Sequence, residues 1–191
     1  MIVSVYGEKD SGKTTLVESL VSRLVKKGYG VGTIKHIHYD DFSIDTEGRD
    51  TWKHKNSGAS IVVSSAPKET AFIFKDGLEF DAILDHLDRF DLDVIIVEGY
   101  KKEKMDKILV GGGKEEPNTI FKYKDNLDEI LEYIESNVKK DSVVVRVNNK
   151  KIPLSKFPED VVRNTVLGLI SSLKGAEGLE EVEIRIGREN P

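Results

Sequence analysis

Eight residues near the amino terminus carry the most specific chemistry in this sequence. Gly7-Glu8-Lys9-Asp10-Ser11-Gly12-Lys13-Thr14 matches the spacing G-x-x-x-x-G-K-[ST] at every fixed position. That spacing suits a polyphosphate. The glycines let the backbone wrap closely, so that N–H groups from Asp10 and Ser11 to Thr14 and Thr15 turn toward phosphate oxygens. Lys13 supplies a positive charge for the β- and γ-phosphates, and the Thr14 hydroxyl is a magnesium ligand. A helix expected from Lys13 onward turns its positive dipole end toward the same anion. An apolar run precedes the motif and an amphipathic stretch follows it, which an ordinary glycine turn does not require.

A second candidate is Glu98, at the end of Asp93-Val94-Ile95-Ile96-Val97-Glu98-Gly99. A continuous apolar run reads as a buried strand, and this one delivers an acid to its carboxyl end. Glu98 could hold magnesium directly or through water, or orient an attacking water. Asp93 starts the same run, so it belongs at the opposite end of the sheet and reads as structural.

The elements that must position these residues follow from the pattern. Ile2–Tyr6 reads as a first buried strand. Leu16, Val17, Leu20, Val21 and Leu24 recur at helical spacing until Gly28 and Gly30 stop the helix. Val31–Lys35 reads as a second strand. A polar, acidic, histidine-bearing loop covers His36–Gly48, and a short helix Asp50–Asn56. Ile61–Val63 and Ala71–Phe74 are strand candidates either side of Pro67. A helix is expected over Phe80–Phe90, strands at Val94–Val97, Ile108–Val110 and Thr119–Phe121, and a last helix over Leu127–Val138. Strands alternating with helices predict an α/β fold of the P-loop NTPase kind. Its sheet is mostly parallel with helices on both faces, and ligands bind at the carboxyl ends of the strands.

The loop after the second strand has its own chemistry. His36 and His38 are two apart at a strand end and so point to the same side. Asp50 and His54 are four apart on a helix and share a face. Asp45 and Asp50 bring carboxylates toward the expected terminal phosphate and magnesium. These residues suit a nucleotide-sensing loop or contacts to a phosphorylated ligand. A transition-metal site from His36, His38, His54 and a carboxylate is the sharper alternative. Trp52 and Tyr100 could stack on a flat ring, although core or dimer packing is the more ordinary use. His86 reads as surface.

Together these motifs closely resemble the molybdopterin-guanine dinucleotide biosynthesis protein B family (MobB). The resemblance rests on the phosphate loop, Lys35-His36-Ile37-His38, Asp45-Thr46-Glu47-Gly48-Arg49-Asp50-Thr51, Gly58-Ala59 and Val97-Glu98-Gly99-Tyr100-Lys101, in that order. It covers about residues 1 to 101 and, less distinctly, up to about 140. Glu47 stands where members often carry proline. The resemblance implies a GTP-binding protein that helps the guanylyltransferase join GMP to molybdopterin, and it implies a homodimer. On that reading Lys13, Glu98 and Asp45 act at the phosphates. Thr14, Glu98 and Asp45 hold magnesium, and Gly7, Asp10, Ser11, Gly12, Lys13, Thr14, Thr15, His36, His38 and Asp50 bind the ligands.

The residues alone leave other readings open. The N-K-x-D guanine motif is absent, since Asn149-Lys150 lacks the following aspartate, so guanine preference rests on the resemblance and ATP stays open. A small-molecule kinase would close an arginine-bearing lid, yet Gly99 to Pro117 holds lysines and no arginine. An adapter that binds nucleotide without turnover differs from a slow GTPase only in hydrolysis. With only Arg49 near the loop, hydrolysis is expected at about 10⁻⁴ to 10⁻² per second.

Composition narrows the class. The 191 residues carry no cysteine, which excludes disulfides and thiolate metal sites. A net charge of -5 argues against non-specific nucleic-acid binding. No apolar run approaches a membrane span and the amino terminus does not read as a signal peptide, so a cytoplasmic location is the default expectation. The expected domains are a nucleotide-binding domain over 1–140 and a small α+β extension over 141–191. In the extension, Val143–Val145 and Val182–Ile186 read as strands and Pro158–Leu173 as a helix. Its many apolar residues must pack against something, with packing inside a homodimer favoured.

Overall fold

Five short apolar runs form the sheet that carries the site. In the computed structural model of the chain, they are β1 (Ile2–Gly7), β2 (Val31–Lys35), β5 (Val94–Glu98), β6 (Asp106–Val110) and β7 (Thr119–Tyr123). The structure describes residues 1–39, 41–90, 92–138, 143, 145–147, 150–152, 154–174, 182 and 184. The chain divides into two units, Met1–Lys139 and Lys140–Pro191.

In the first unit the strands lie side by side in the order β2-β5-β1-β6-β7, and every pairing is parallel. Register places Lys35 opposite Glu98, and Gly7 opposite Val110. These four residues therefore share the carboxyl edge of the sheet. The central strands are rich in apolar residues because both faces are covered.

One face packs helix α1 (Lys13–Lys26) and helix α4 (Leu127–Asn137). Leu16, Leu20 and Leu24 of the first meet Ile130, Leu131 and Ile134 of the second over Val3, Val5, Ile96 and Ile108. Leucine at every fourth position is what brings one stripe of α1 onto the sheet. The other face packs helix α3 (Phe80–Leu87), with Phe80 against Ile34 and Val97 and with Ile83, Leu84 and Leu87 beside them. Helix α3 stops at Leu87, three residues short of the expected Phe90.

The second face differs from the expectation in how it is crossed. The β5–β6 and β6–β7 connections, residues 99–105 and 111–118, contain no helix, although parallel crossovers ordinarily run to a dozen residues or more. Polar side chains on the sheet hold them instead. Ser4 Oγ donates to the Gly99 carbonyl at 2.7 Å, and the Glu116 N–H donates to Tyr6 Oη at 2.9 Å. The buried Lys107 ammonium, on a residue 2% exposed, donates to the Pro117 carbonyl at 2.8 Å.

The strand candidates around Pro67 form an antiparallel hairpin outside the main sheet, β3 (Ile61–Ser65) with β4 (Thr70–Phe74). Helix α2 (Asp50–Asn56) precedes it. In the second unit, β8 (Val145–Val147) pairs with β9 (Lys150–Ile152), and helix α5 spans Lys156–Ile170. Val162, Val166 and Ile170 are half-buried, as are Pro158 and Glu159 in its first turn, whereas Phe157, Val161 and Leu169 are exposed. The expected strand Val182–Ile186 lies mostly outside the described residues. Among those residues no helix is long and apolar enough to cross a membrane.

Candidate functional site

The loop between β1 and α1 has the backbone that its glycines suggest. A Cβ on Gly7 would lie 2.2 Å from the Val110 carbonyl oxygen, so no side chain fits there. Gly12, at φ 92°, takes the left-handed conformation that starts α1, and Asp10 also has a positive φ of 57°. Ser11 Oγ is buried without a hydrogen-bond partner. The Lys13 ammonium folds back onto the Glu8 carbonyl of its own loop. Thr14 and Thr15 sit exposed in the first turn of α1.

Glu98 comes to the same place from β5. The Thr14 hydroxyl donates to its carboxylate at 3.1 and 3.2 Å. Lys35, the register partner on β2, forms an ion pair with the same carboxylate at 3.1 Å. The Glu98 side chain is 13% exposed and that of Lys35 57%. The Glu98 backbone is fixed as well, because the His36 N–H donates to its carbonyl at 2.9 Å and the following Gly99 N–H to Val5 at 3.0 Å. Asp93, at the other end of the strand, accepts from the Gly30 N–H at 2.7 Å and so has the structural place expected of it.

His36 and His38 do lie together, with ring centroids 4.1 Å apart. His36 also stacks on Tyr100 at 4.1 Å and 16°, and Tyr100 packs on Phe80 at 4.6 Å. Tyr100 is thus a packing residue that ties the loop to α3. Burial, and then the neighbouring His38, hold His36 below the usual histidine value, and its Nδ1 is buried without a partner. Burial, with Glu79 and Glu103 nearby, pushes the Tyr100 phenol up.

Asp45 and Asp50 have more local surroundings. Asp45 accepts from the Thr51 hydroxyl at 2.7 Å and the Thr46 N–H at 3.0 Å, which pins the loop to the start of α2. Its second oxygen is buried and unpartnered. Asp50 is exposed and pairs with Lys53 at 3.3 Å. His54, Arg49 and His86 are exposed. Among the described residues no group of three or more histidines and carboxylates is placed to hold a metal, so His36, His38 and His54 are not assembled into a transition-metal site.

Sequence reasoning passed over Lys35 as a contact of Glu98. Its signals were its place closing a strand and opening the Lys35-His36-Ile37-His38 element, and the pairing depends on β2 lying next to β5. Ser4, Tyr6 and Lys107 were also missed: Ser4 and Tyr6 lie inside the expected buried strand, Lys107 just before the expected Ile108–Val110, and their partners at Gly99, Glu116 and Pro117 are set by the fold.

An all-parallel sheet with helices on both faces and a glycine loop at its carboxyl edge is an open α/β fold, of the kind that places its sites at the carboxyl ends of the strands. The sequence matches the family described as molybdopterin guanine dinucleotide synthesis protein B (MobB) over residues 2–136, and the chain belongs to that family. A Haemophilus influenzae molybdopterin-guanine dinucleotide biosynthesis adapter protein is 33% identical over 57% of this chain and 62% of its own length. A Methanocaldococcus jannaschii protein, named as a candidate adapter of the same kind, is 26% identical over 97% of both chains. The similarity to the Haemophilus protein thus spans less than two thirds of that relative. The crystal structure of Bacillus subtilis MobB shares the fold, with a TM-score of 0.59 at 22% identity over 72% of this chain and 98% of that one. A crystal structure of a molybdopterin-guanine biosynthesis protein B has a TM-score of 0.52 at 26% identity, over 71% and 99%.

Proposed function

We propose that the chain is an adapter in molybdopterin-guanine dinucleotide synthesis that binds GTP with magnesium on the Gly7–Thr14 loop. The observation that carries this reading is the meeting of Thr14 and Glu98 beside that loop. A hydroxyl and a carboxylate make an oxygen-donor pair of the kind a hard cation takes, and a nucleotide-borne magnesium needs only one or two protein ligands besides phosphate and water. The unpartnered Ser11 Oγ and Asp45 Oδ2 are further acceptors or donors of the sort that bound ligands satisfy. When bound, magnesium neutralises phosphate charge. Lys13 would exchange the Glu8 carbonyl for a phosphate oxygen, and Glu98 and Thr14 would orient the cation, with Asp45 closing the loop over it. His36, His38 and Asp50 belong to the surface that senses the nucleotide or meets the pterin.

On this reading the partners are the guanylyltransferase and molybdopterin, the protein works as a homodimer in the cytoplasm, and hydrolysis is slow. The adapter names of the relatives support the pathway. Fluorescent GTP and ATP, each with and without magnesium, test the binding, with Lys13→Ala as the control. Guanylyl transfer to molybdopterin, with and without the protein, tests the adapter role. Magnesium-dependent GTP binding that Lys13→Ala abolishes, and faster or fuller guanylylation, are expected. Binding of neither nucleotide would refute the phosphate-loop assignment. Unchanged guanylylation would refute the adapter role.

A further inference from the structure

Lys35 stands where a cation is wanted. Its ammonium is 3.1 Å from a carboxylate that also receives the Thr14 hydroxyl. Glu98 is shielded at 13% exposure, while the Lys35 side chain is 57% exposed. The two residues are register partners on adjacent parallel strands, so the backbone holds the lysine beside this carboxylate, and its side chain can return to it after moving away.

We propose that Lys35 is a built-in competitor of magnesium, which makes the site select the magnesium–nucleotide complex over free magnesium. The proposal rests on the magnesium assignment above. Magnesium sits at about 2.0 to 2.1 Å from its oxygen ligands. An ammonium on the same carboxylate would then stand only a few ångströms from a divalent ion, where like charges repel strongly in a partly shielded site. The Thr14 contact can stay, because a hydroxyl offers the metal a lone pair while its proton remains on Glu98. Magnesium entry therefore expels Lys35 and leaves Thr14 in place. Bare magnesium leaves the expelled ammonium without a counter-ion. A triphosphate arriving with the metal supplies one. The internal cation thus raises the barrier to free magnesium more than to the nucleotide complex.

The test is a magnesium titration of fluorescent GTP binding in wild type, Lys35→Met and Lys35→Arg, with thermal denaturation in magnesium alone. Lys35→Met should reach half-saturation at about two- to five-fold less magnesium, the factor expected for a partly exposed ion pair. Magnesium without nucleotide should raise the Tm of Lys35→Met and leave wild type unchanged. Lys35→Arg keeps the charge and should behave as wild type. If wild type requires magnesium but Lys35→Met needs as much or more, the role of Lys35 is overturned and the metal assignment stands. If wild-type nucleotide binding ignores magnesium, both are overturned.

Discussion

Replacing Glu98 by glutamine separates its charge from its shape. The amide keeps an oxygen that can accept from Thr14, now at 3.1 Å. It loses the charge that pairs with Lys35 and that a cation would use. The two consequences differ in size. The ion pair has a partner that is 57% exposed, so its loss should cost the fold only about 0.2 to 1 kcal/mol, a Tm change of about 4 °C or less. The cation contact is with a carboxylate 13% exposed, where water screens little. A charge-assisted contact contributes about 1.5 to 3 kcal/mol, which converts to a rise in half-saturating magnesium of about 10- to 150-fold. Titrating magnesium into the Glu98→Gln protein with fluorescent GTP, alongside a thermal melt, measures both. A half-saturating magnesium within about two-fold of wild type would refute the placement of the cation on Glu98. A large fall in Tm would show that the carboxylate is instead a structural group.

Three further outcomes follow from the geometry. Gly7→Ala would put a methyl carbon 2.2 Å from the Val110 carbonyl oxygen. Backbone must move, so the variant should lose about 1 to 3 kcal/mol and its nucleotide binding; a wild-type melt would contradict the close approach. Because the His36 pKa is depressed by burial and by His38, the folded chain holds the neutral ring while the unfolded chain takes up a proton near the usual 6.5. Stability should be full above about pH 6.5 and fall as pH drops below it toward the folded-state value. Denaturant melts on both sides of that pH should show a smaller fall in His36→Phe, and equal falls would refute the assignment to His36. A chain ending at Lys139 should unfold cooperatively and still bind nucleotide, since both clusters of buried apolar residues lie within Met1–Lys139; failure to fold would move the boundary.

The parts legible in the sequence were those written in one segment. The phosphate loop, α1 and α2 each follow from local spacing, and α2 spans the expected Asp50–Asn56. Glu98 was readable because a four-residue apolar run makes its strand unmistakably buried. The rest depends on which strands become neighbours. Lys35 meets Glu98 only because β2 lies beside β5 rather than beside β1, and no local pattern encodes that order. The β3–β4 hairpin reads as two strands of any sheet, and only the fold sets it apart from the parallel one. Asp45 was read by its charge and its place in the Asp45–Thr51 element, neither of which says that Thr51 is its hydrogen-bond partner.

The polar residues of the second face explain how a site this small is held steady. Crossovers of seven and eight residues leave no helix to clamp the carboxyl edge of β5 and β6. Ser4 takes over part of that work by donating to the carbonyl of Gly99, the residue after the acid. Gly99 donates in turn to Val5, and its conformation at φ 100° leaves 2.8 Å between a would-be Cβ and the His36 Cβ. Only glycine tolerates that φ together with that approach. The acid is therefore fixed from three sides by strand backbone and a buried hydroxyl, independent of any ligand. The facing loop, His36 to Arg49, is tied by different means: a ring stack at one end and the Asp45–Thr51 bond at the other. Among the described residues these two ties join the loop to helices α3 and α2, whereas the acid is held by the sheet, so loosening the loop would leave the acid in place.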